Sequence, residues 1–184
     1  HRFLDIDAAL IAGIDAALAA LAAAYTQPWA LISSLAEGAD CLVLQRAVRL
    51  CPNLRLCAVL PLPADAFRHD FSTAAALDEF ERWLARADEV VVMPSRVPPE
   101  LAYRLAGTYM LRRTAALLAV WDGQPRLGPG GTGEVVVQAR HKRLPLAWVL
   151  AGNYNPASSG ATSPLPDIAG LQGRVQYENF PPGT

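Results

Sequence analysis

The chain has 184 residues, a hydrophobic fraction of 52% and a formal net charge of −1 from 16 basic and 17 acidic side chains. That length suits one good core and is short for two. Near-neutral charge gives no global nucleic-acid footprint, and no apolar run reaches transmembrane length.

In chain order, the residues predict a helix over 5–25, alanine-rich but broken by Gly13 and Asp15, so core-facing rather than membrane-spanning. A strand over 29–33, a helix over 39–50 and a strand over 54–62 follow. Next come a helix over 73–86, a strand over 89–94 and a helix over 99–114. A strand over 116–122, a helix over 131–142 and a strand over 145–150 close the alternation. The strands are short, continuous and apolar, as parallel strands covered on both faces are. The alternation predicts a doubly wound α/β domain with a mostly parallel sheet and helices on both faces. Such a domain opens with a strand, so a first strand is expected ahead of residue 1.

Residues 1–152 form this domain. Residues 153–184 read as a Pro/Gly-rich linker or C-terminal flap, with a short extra strand over 174–180. A further domain beyond residue 184 and a homodimer are left open. Cys41, Cys51 and Cys57 are odd in number and sit in apolar context, so they read as reduced core thiols of a cytoplasmic protein. No Cys–His spacing suggests a metal, and no cofactor is implied. Fifteen arginines against one lysine fit a GC-rich, bacterial coding sequence.

Two turns carry the functional expectation. Ser33-Ser34-Leu35-Ala36-Glu37-Gly38-Ala39-Asp40 follows the run Trp29-Ala30-Leu31-Ile32 and opens a helix. Gly128-Pro129-Gly130-Gly131-Thr132-Gly133-Glu134 follows Ala116-Leu117-Leu118-Ala119-Val120-Trp121 and opens another. A strand, a small-residue turn and a helix N-terminus together present backbone N–H groups and a favourable dipole to an anion. Two such turns in one sheet face each other across its carboxyl edge, where open α/β folds bind ligands. There is no Gly-Lys-Ser or Gly-Lys-Thr, which excludes a Walker-type nucleotide hydrolase.

The two turns resemble those of the SLOG superfamily, which joins Smf/DprA DNA-processing proteins to LOG-type nucleotide hydrolases. The serine turn looks like the Ser-Gly-Leu-Ala-x-Gly-Ile-Asp turn of the first branch. Gly130-Gly131-Thr132-Gly133-Glu134 looks like the Pro-Gly-Gly-x-Gly-Thr-x-x-Glu turn of the second, with its order permuted. His1-Arg2-Phe3 is similar to the residues that follow a first strand ending in Gly-His-Arg. The resemblance covers roughly residues 1–150 and implies a Rossmann-like fold that binds a nucleotide or a nucleotide-derived phosphate.

Residue by residue, several readings stand side by side. Ser33 and Ser34 either donate to a phosphate or cap the next helix. Glu37 and Gly38 belong to the same turn, Gly38 for close backbone approach. Asp40 either complements the helix dipole or, by resemblance, braces the turn. Gly130, Gly131, Thr132 and Gly133 offer amides to a phosphate. Asp122 either accepts from a ribose hydroxyl or braces Gly123. Glu134 is either an ordinary N-terminal acid of a helix or, by resemblance, works with an arginine on the sugar of a nucleoside monophosphate. Registering the strands places that arginine nearest Ala106, two residues from Arg104. Trp121 either packs or stacks on a base. Residues 96–143 hold eight basic groups against three acids, read as solvated helix faces or as a positive rim. The expected function is nucleotide binding or sensing. The alternatives are an N-glycosidic hydrolase of nucleoside 5′-monophosphates, with Glu134 and Arg104 as its catalytic pair, and a DprA-like single-strand DNA-binding module. Near-neutral charge argues against nucleic acid as a partner, and no membrane contact is expected of this segment.

Overall fold

A computed structural model of the chain describes residues 6–123, 130–152 and 170–181. In chain order it contains α1 (Ala8–Ala24), β1 (Ala30–Ser33), α2 (Ala39–Leu50), β2 (Arg55–Leu60), α3 (Ala64–Phe67), a 3-10 turn (Arg68–Asp70), α4 (Ala74–Arg86) and β3 (Glu89–Val92). Then follow α5 (Pro99–Arg113), β4 (Leu117–Trp121), α6 (Thr132–His141), β5 (Leu146–Leu150) and β6 (Val175–Glu178).

Local chemistry sets these boundaries. Asp7 caps α1 by accepting from the Leu10 N–H at 2.7 Å, and Thr73 caps α4 through Ala76. Pro99 opens α5, where a missing N–H costs nothing. The strand expected to reach residue 62 stops at Leu60, ahead of Pro61 and Pro63, and the strand expected to reach 94 stops at Val92, ahead of Pro94. The short helical pieces after β2 were not expected. Four residues give no helical period to read.

The strands form two three-stranded sheets rather than one continuous sheet. In the first, β1, β2 and β3 are neighbours and all parallel. In the second, β4 and β5 are parallel and β6 runs antiparallel beside β5. The expected extra strand over 174–180 is β6. Residues 153–169 of the expected linker lie outside the described residues.

Side chains alternate along the strands, and helices cover both faces. Leu56, Ala58 and Leu60 meet Leu44 of α2 and Phe80 of α4. Cys57 and Val59, on the other face of β2, meet Ala102 and Ala106 of α5. In the second sheet, Val120, Ala147 and Val149 pack with Leu10, Ile14 and Ala17 of α1 and Leu42 of α2. Ala119, Trp121 and Leu146 pack with Val136 of α6 on the opposite face. So α1, α2 and α4 share one layer, and α5 and α6 share the other. All three cysteines are buried and free. Burial pushes the Cys41 thiol far above its ordinary value, which keeps it a neutral core group.

No strand among the described residues pairs with the outer edge of β1 or of β4. The two edges instead flank a cavity of about 600 Å³, lined by Ala30–Ser33 on one side and Leu117–Val120 on the other. Among the described residues this slot separates the two sheets. Residues 1–5, on which the expectation about His1-Arg2-Phe3 falls, lie outside the described residues.

The chain after β5 is fastened to α1 by a backbone approach that admits no side chain. Gly173 sits at φ 77°, and a Cβ added there would lie 2.0 Å from the Ala9 carbonyl oxygen. Gly170 has nothing within 4 Å of its added Cβ. Gly173→Ala is therefore expected to cost roughly 2–4 kcal/mol through strain and overpacking. Gly170→Ala should stay within about 0.5 kcal/mol. Urea denaturation of both variants measures the contrast.

Candidate functional site

The serine turn leaves β1 through an unusual backbone. Leu35 adopts φ 58° although it is not glycine. Such a conformation costs on the order of 1 kcal/mol. It is held because the Leu35 side chain is fully buried against Leu44, Leu56 and Phe80. Its N–H also donates to Ser33 Oγ at 3.0 Å.

Asp40 organises the rest of that turn. Its Oδ2 accepts from Ser33 Oγ and Ser34 Oγ, each at 2.9 Å, and from the Ala36 N–H at 3.3 Å. Of the readings open for the serines, capping of α2 does not occur: the cap position is Gly38, at φ 93°, with no side-chain bond. Both hydroxyls turn inward to Asp40, and Ser33 is buried at 6% exposure. Glu37 is tied to a neighbouring segment, accepting from the Ser72 N–H at 2.9 Å and the Ser72 Oγ at 2.5 Å. The serine turn thus satisfies its own donors and acts as a fixed wall.

The glycine turn is built differently. Gly130 sits at φ 79°, and a Cβ there would lie 2.5 Å from Tyr103 Cβ and 3.0 Å from the Arg104 N. The turn therefore rests directly on α5, which only glycine allows. Gly131 takes the cap position of α6 without any side-chain bond. Glu134 sits in the first turn and reaches back to accept from the Gly130 N–H at 2.8 Å, close to the logic of a capping box. Arg104 Nε lies 3.0 Å from Glu134 Oε1. Arg104 is thus the α5 arginine that meets Glu134, while Ala106, two residues on, is buried. The Gly130 N–H is occupied by Glu134, so the amides left for an anion are those of Gly131, Thr132 and Gly133, at the positive end of the helix.

Both turns open onto the cavity that continues the slot. Ser33, Ser34, Glu37 and Asp40 line it from one side, and Gly130, Gly131 and Thr132 from the other. Gly38, Gly133 and Glu134 of the same turns, Arg104 of α5 and Asp122 just after β4 are not on its wall. Gly128 and Pro129 lie outside the described residues. Two lining groups were missing from the sequence-based site: Tyr103, whose hydroxyl donates to Asp70, and Asp70 itself. Asp70 follows β2 at the same sheet edge, which was the signal for it. Trp121 packs rather than stacks on a ligand. It is 5% exposed, with its ring 5.2 Å from that of Trp148.

The basic excess of residues 96–143 is partly neutralised. Arg104 pairs with Glu134, Arg113 with Glu89 and Arg140 with Glu178. Among the described residues no group of His, Cys, Asp and Glu is placed to hold a metal ion, and no helix is long and apolar enough to cross a membrane.

Comparison of the chain with protein-family models gives no match, and comparison with curated proteins gives none either.

Two expectations test the turn chemistry. The Glu134 carboxyl is held below its ordinary value of 4.5, first by the Gly130 N–H and then by Arg104. A lowered folded value means that its bonds stabilise the fold above about pH 4.5, and that this is lost as pH falls through the folded value. A carboxyl-resolved NMR titration should put the Glu134 midpoint below 4.5. Separately, Asp40→Ala orphans two hydroxyls and an amide and is expected to cost about 2–3 kcal/mol, measured by chemical denaturation.

Proposed function

We propose that this chain is a Rossmann-like α/β domain that binds a nucleotide or a nucleotide-derived phosphate between the serine and glycine turns. The observation that carries this reading is the shared cavity, with the uncapped N-terminus of α6 on one wall and the Asp40-braced turn on the other. A phosphate there would accept from the amides of Gly131 and Thr132, which line the cavity, supported by the dipole of a ten-residue helix. Tyr103 and Asp70 line the same cavity and offer polar contacts to the sugar. The resemblance of both turns to those of the SLOG superfamily supports the same class of ligand.

Binding or sensing is favoured over hydrolysis. Glu134 spends its carboxylate on the Gly130 N–H and on Arg104, so it braces the turn. One observation keeps the hydrolase reading in play: Arg104 and Glu134 do meet. In that reading the carboxylate stabilises positive charge developing on the ribose as the base departs. Single-strand DNA binding is not expected from a net charge of −1.

The test uses AMP and ADP-ribose as probes. Gly131→Val should weaken binding by more than about tenfold, which is about 1.4 kcal/mol, with little effect on folding. Glu134→Gln should leave affinity nearly intact, and the wild-type protein should release no free base. Calorimetric titration and a base-release assay read these outcomes. Base release lost in Glu134→Gln would establish the hydrolase instead, because only turnover needs the charge in the transition state. Unchanged affinity in folded Gly131→Val would defeat the shared site, and a salt-dependent DNA shift would favour the third reading.

A further inference from the structure

We propose that β3 is a dimerisation edge. It pairs with β3 of a second copy, antiparallel and about a two-fold axis at Val91, so that the three-stranded sheets of two chains become continuous.

The edge is unguarded. β3 pairs with β2 on one side, and among the described residues no strand pairs with its other side. The Asp88 N–H donates to the Leu56 carbonyl, and Glu89 is the register partner of Cys57. In a parallel ladder this turns the backbone groups of Asp88, Val90 and Val92 toward β2, and those of Glu89 and Val91 outward. Edge strands of monomers are blunted by a lysine, a proline, a bulge or an inward charge. The centre of β3 is Val90-Val91-Val92, in unbroken register with β2 and with none of these devices. Pro94 comes only after the strand has ended. Four residues are enough to pair, since β1 uses its own four against β2.

One face of the edge is also bare. Residues in register point to the same face, so Val90 and Val92 stand beside Ala58 and Leu60. Ala58 and Leu60 are 0% and 1% exposed, whereas Val90 and Val92 are 47% and 45% exposed. The helices that bury β2 on this side leave β3 uncovered.

The edge is complementary to itself. Val91 presents both its N–H and its carbonyl outward, so two copies can exchange a pair of hydrogen bonds there. That register sets Val90 against Val92 of the second copy and Val92 against its Val90, which buries all four half-exposed valines. The charges follow the same order. Asp88 and Glu89 precede the valines and Arg96 follows them. Antiparallel pairing therefore brings exposed Asp88 of one copy toward exposed Arg96 of the other, while parallel pairing would bring like charges together. Glu89 is held within its own chain by Arg113, at 3.7 Å. Such a contact is isologous and closes on itself at two copies. Its four-residue edge buries less than the roughly 1,200 Å² of a standard interface, so the dimer is weak and reversible.

Sedimentation equilibrium of the whole chain tests this without any nucleotide. Between about 5 μM and about 0.5 mM, the range suited to a weak interface, the mass should rise from 19.7 kDa toward twice that value. A constant monomer mass overturns the proposal. Val92→Lys, at an exposed position, should weaken association by more than about tenfold; unchanged association in the folded variant overturns it. Should that variant not fold, amide exchange in the wild-type protein decides the same point. Exchange at Val91 should slow at least about tenfold from dilute to concentrated protein, while Val90, which faces β2, stays unchanged. A dimer without that contrast uses another face, and overturns the assignment. Mixed Val90→Cys and Val92→Cys chains test the register. Opposed residues of a non-hydrogen-bonded pair stand about 4.5 Å apart at Cα, within disulfide reach, and the natural cysteines are buried. Oxidation should link the mixture in excess of either variant alone; equal yields overturn the register.

Discussion

The apolar layer beneath α1 and α2 is the contact on which the rest of the structure depends. Leu10, Ile14 and Ala17 of α1 and Leu42 and Ala47 of α2 meet Val120, Ala147 and Val149 of the second sheet, with Leu31 of the first sheet packed against the same cluster. Among the described residues no ladder of hydrogen bonds joins β1 to β4, and this non-directional burial bridges the two sheets. The site inherits that dependence. The serine turn rides on the first sheet and the glycine turn on the second, and their separation is set by how the helices pack.

Each turn is fixed by one carboxylate, used in opposite ways. Asp40 gathers donors inward, so the serine turn spends its polarity on itself. Glu134 takes the Gly130 N–H and Arg104, and leaves Gly131 and Thr132, the residues that open α6, on the cavity wall. The first arrangement makes a rigid wall and the second an acceptor-hungry one. A carboxylate that gathers three hydrogen bonds is costly to disturb, whereas a helix N-terminus without a side-chain cap is free to accept an anion.

Much of this was legible in the sequence because the signals are local. Thr73 and Pro99 mark helix starts, and α2 falls on the residues expected of it, whereas the strand ends at Leu60 and Val92 were overrun, although Pro61 and Pro94 mark them. The turns were legible because glycine and serine at strand–helix junctions have few other uses. What escaped involves residues far apart in the chain. Asp70 meets Tyr103 across 33 positions, and only the packing of the segment after β2 against α5 brings them together. The inward turn of Ser33 and Ser34 was equally hidden, since a serine beside an aspartate reads the same whether it faces a ligand or the aspartate. Helix residues near in sequence point to different faces: Ala106 goes into the core and Arg104 toward the turn.

The tryptophan pair at the end of β4 gives this edge an optical handle. The Trp148 indole N–H donates to the Trp121 carbonyl at 2.9 Å, and the two rings lie tilted at 41°. The Gly123 turn rests on the outer ring of Trp148, where an added Cβ would come within 3.1 Å. Two indoles this close couple their electronic transitions, so near-ultraviolet circular dichroism carries a signal from this one corner of the molecule. A displacement of Gly123 would move it across that ring, and the protein would report it with no added dye.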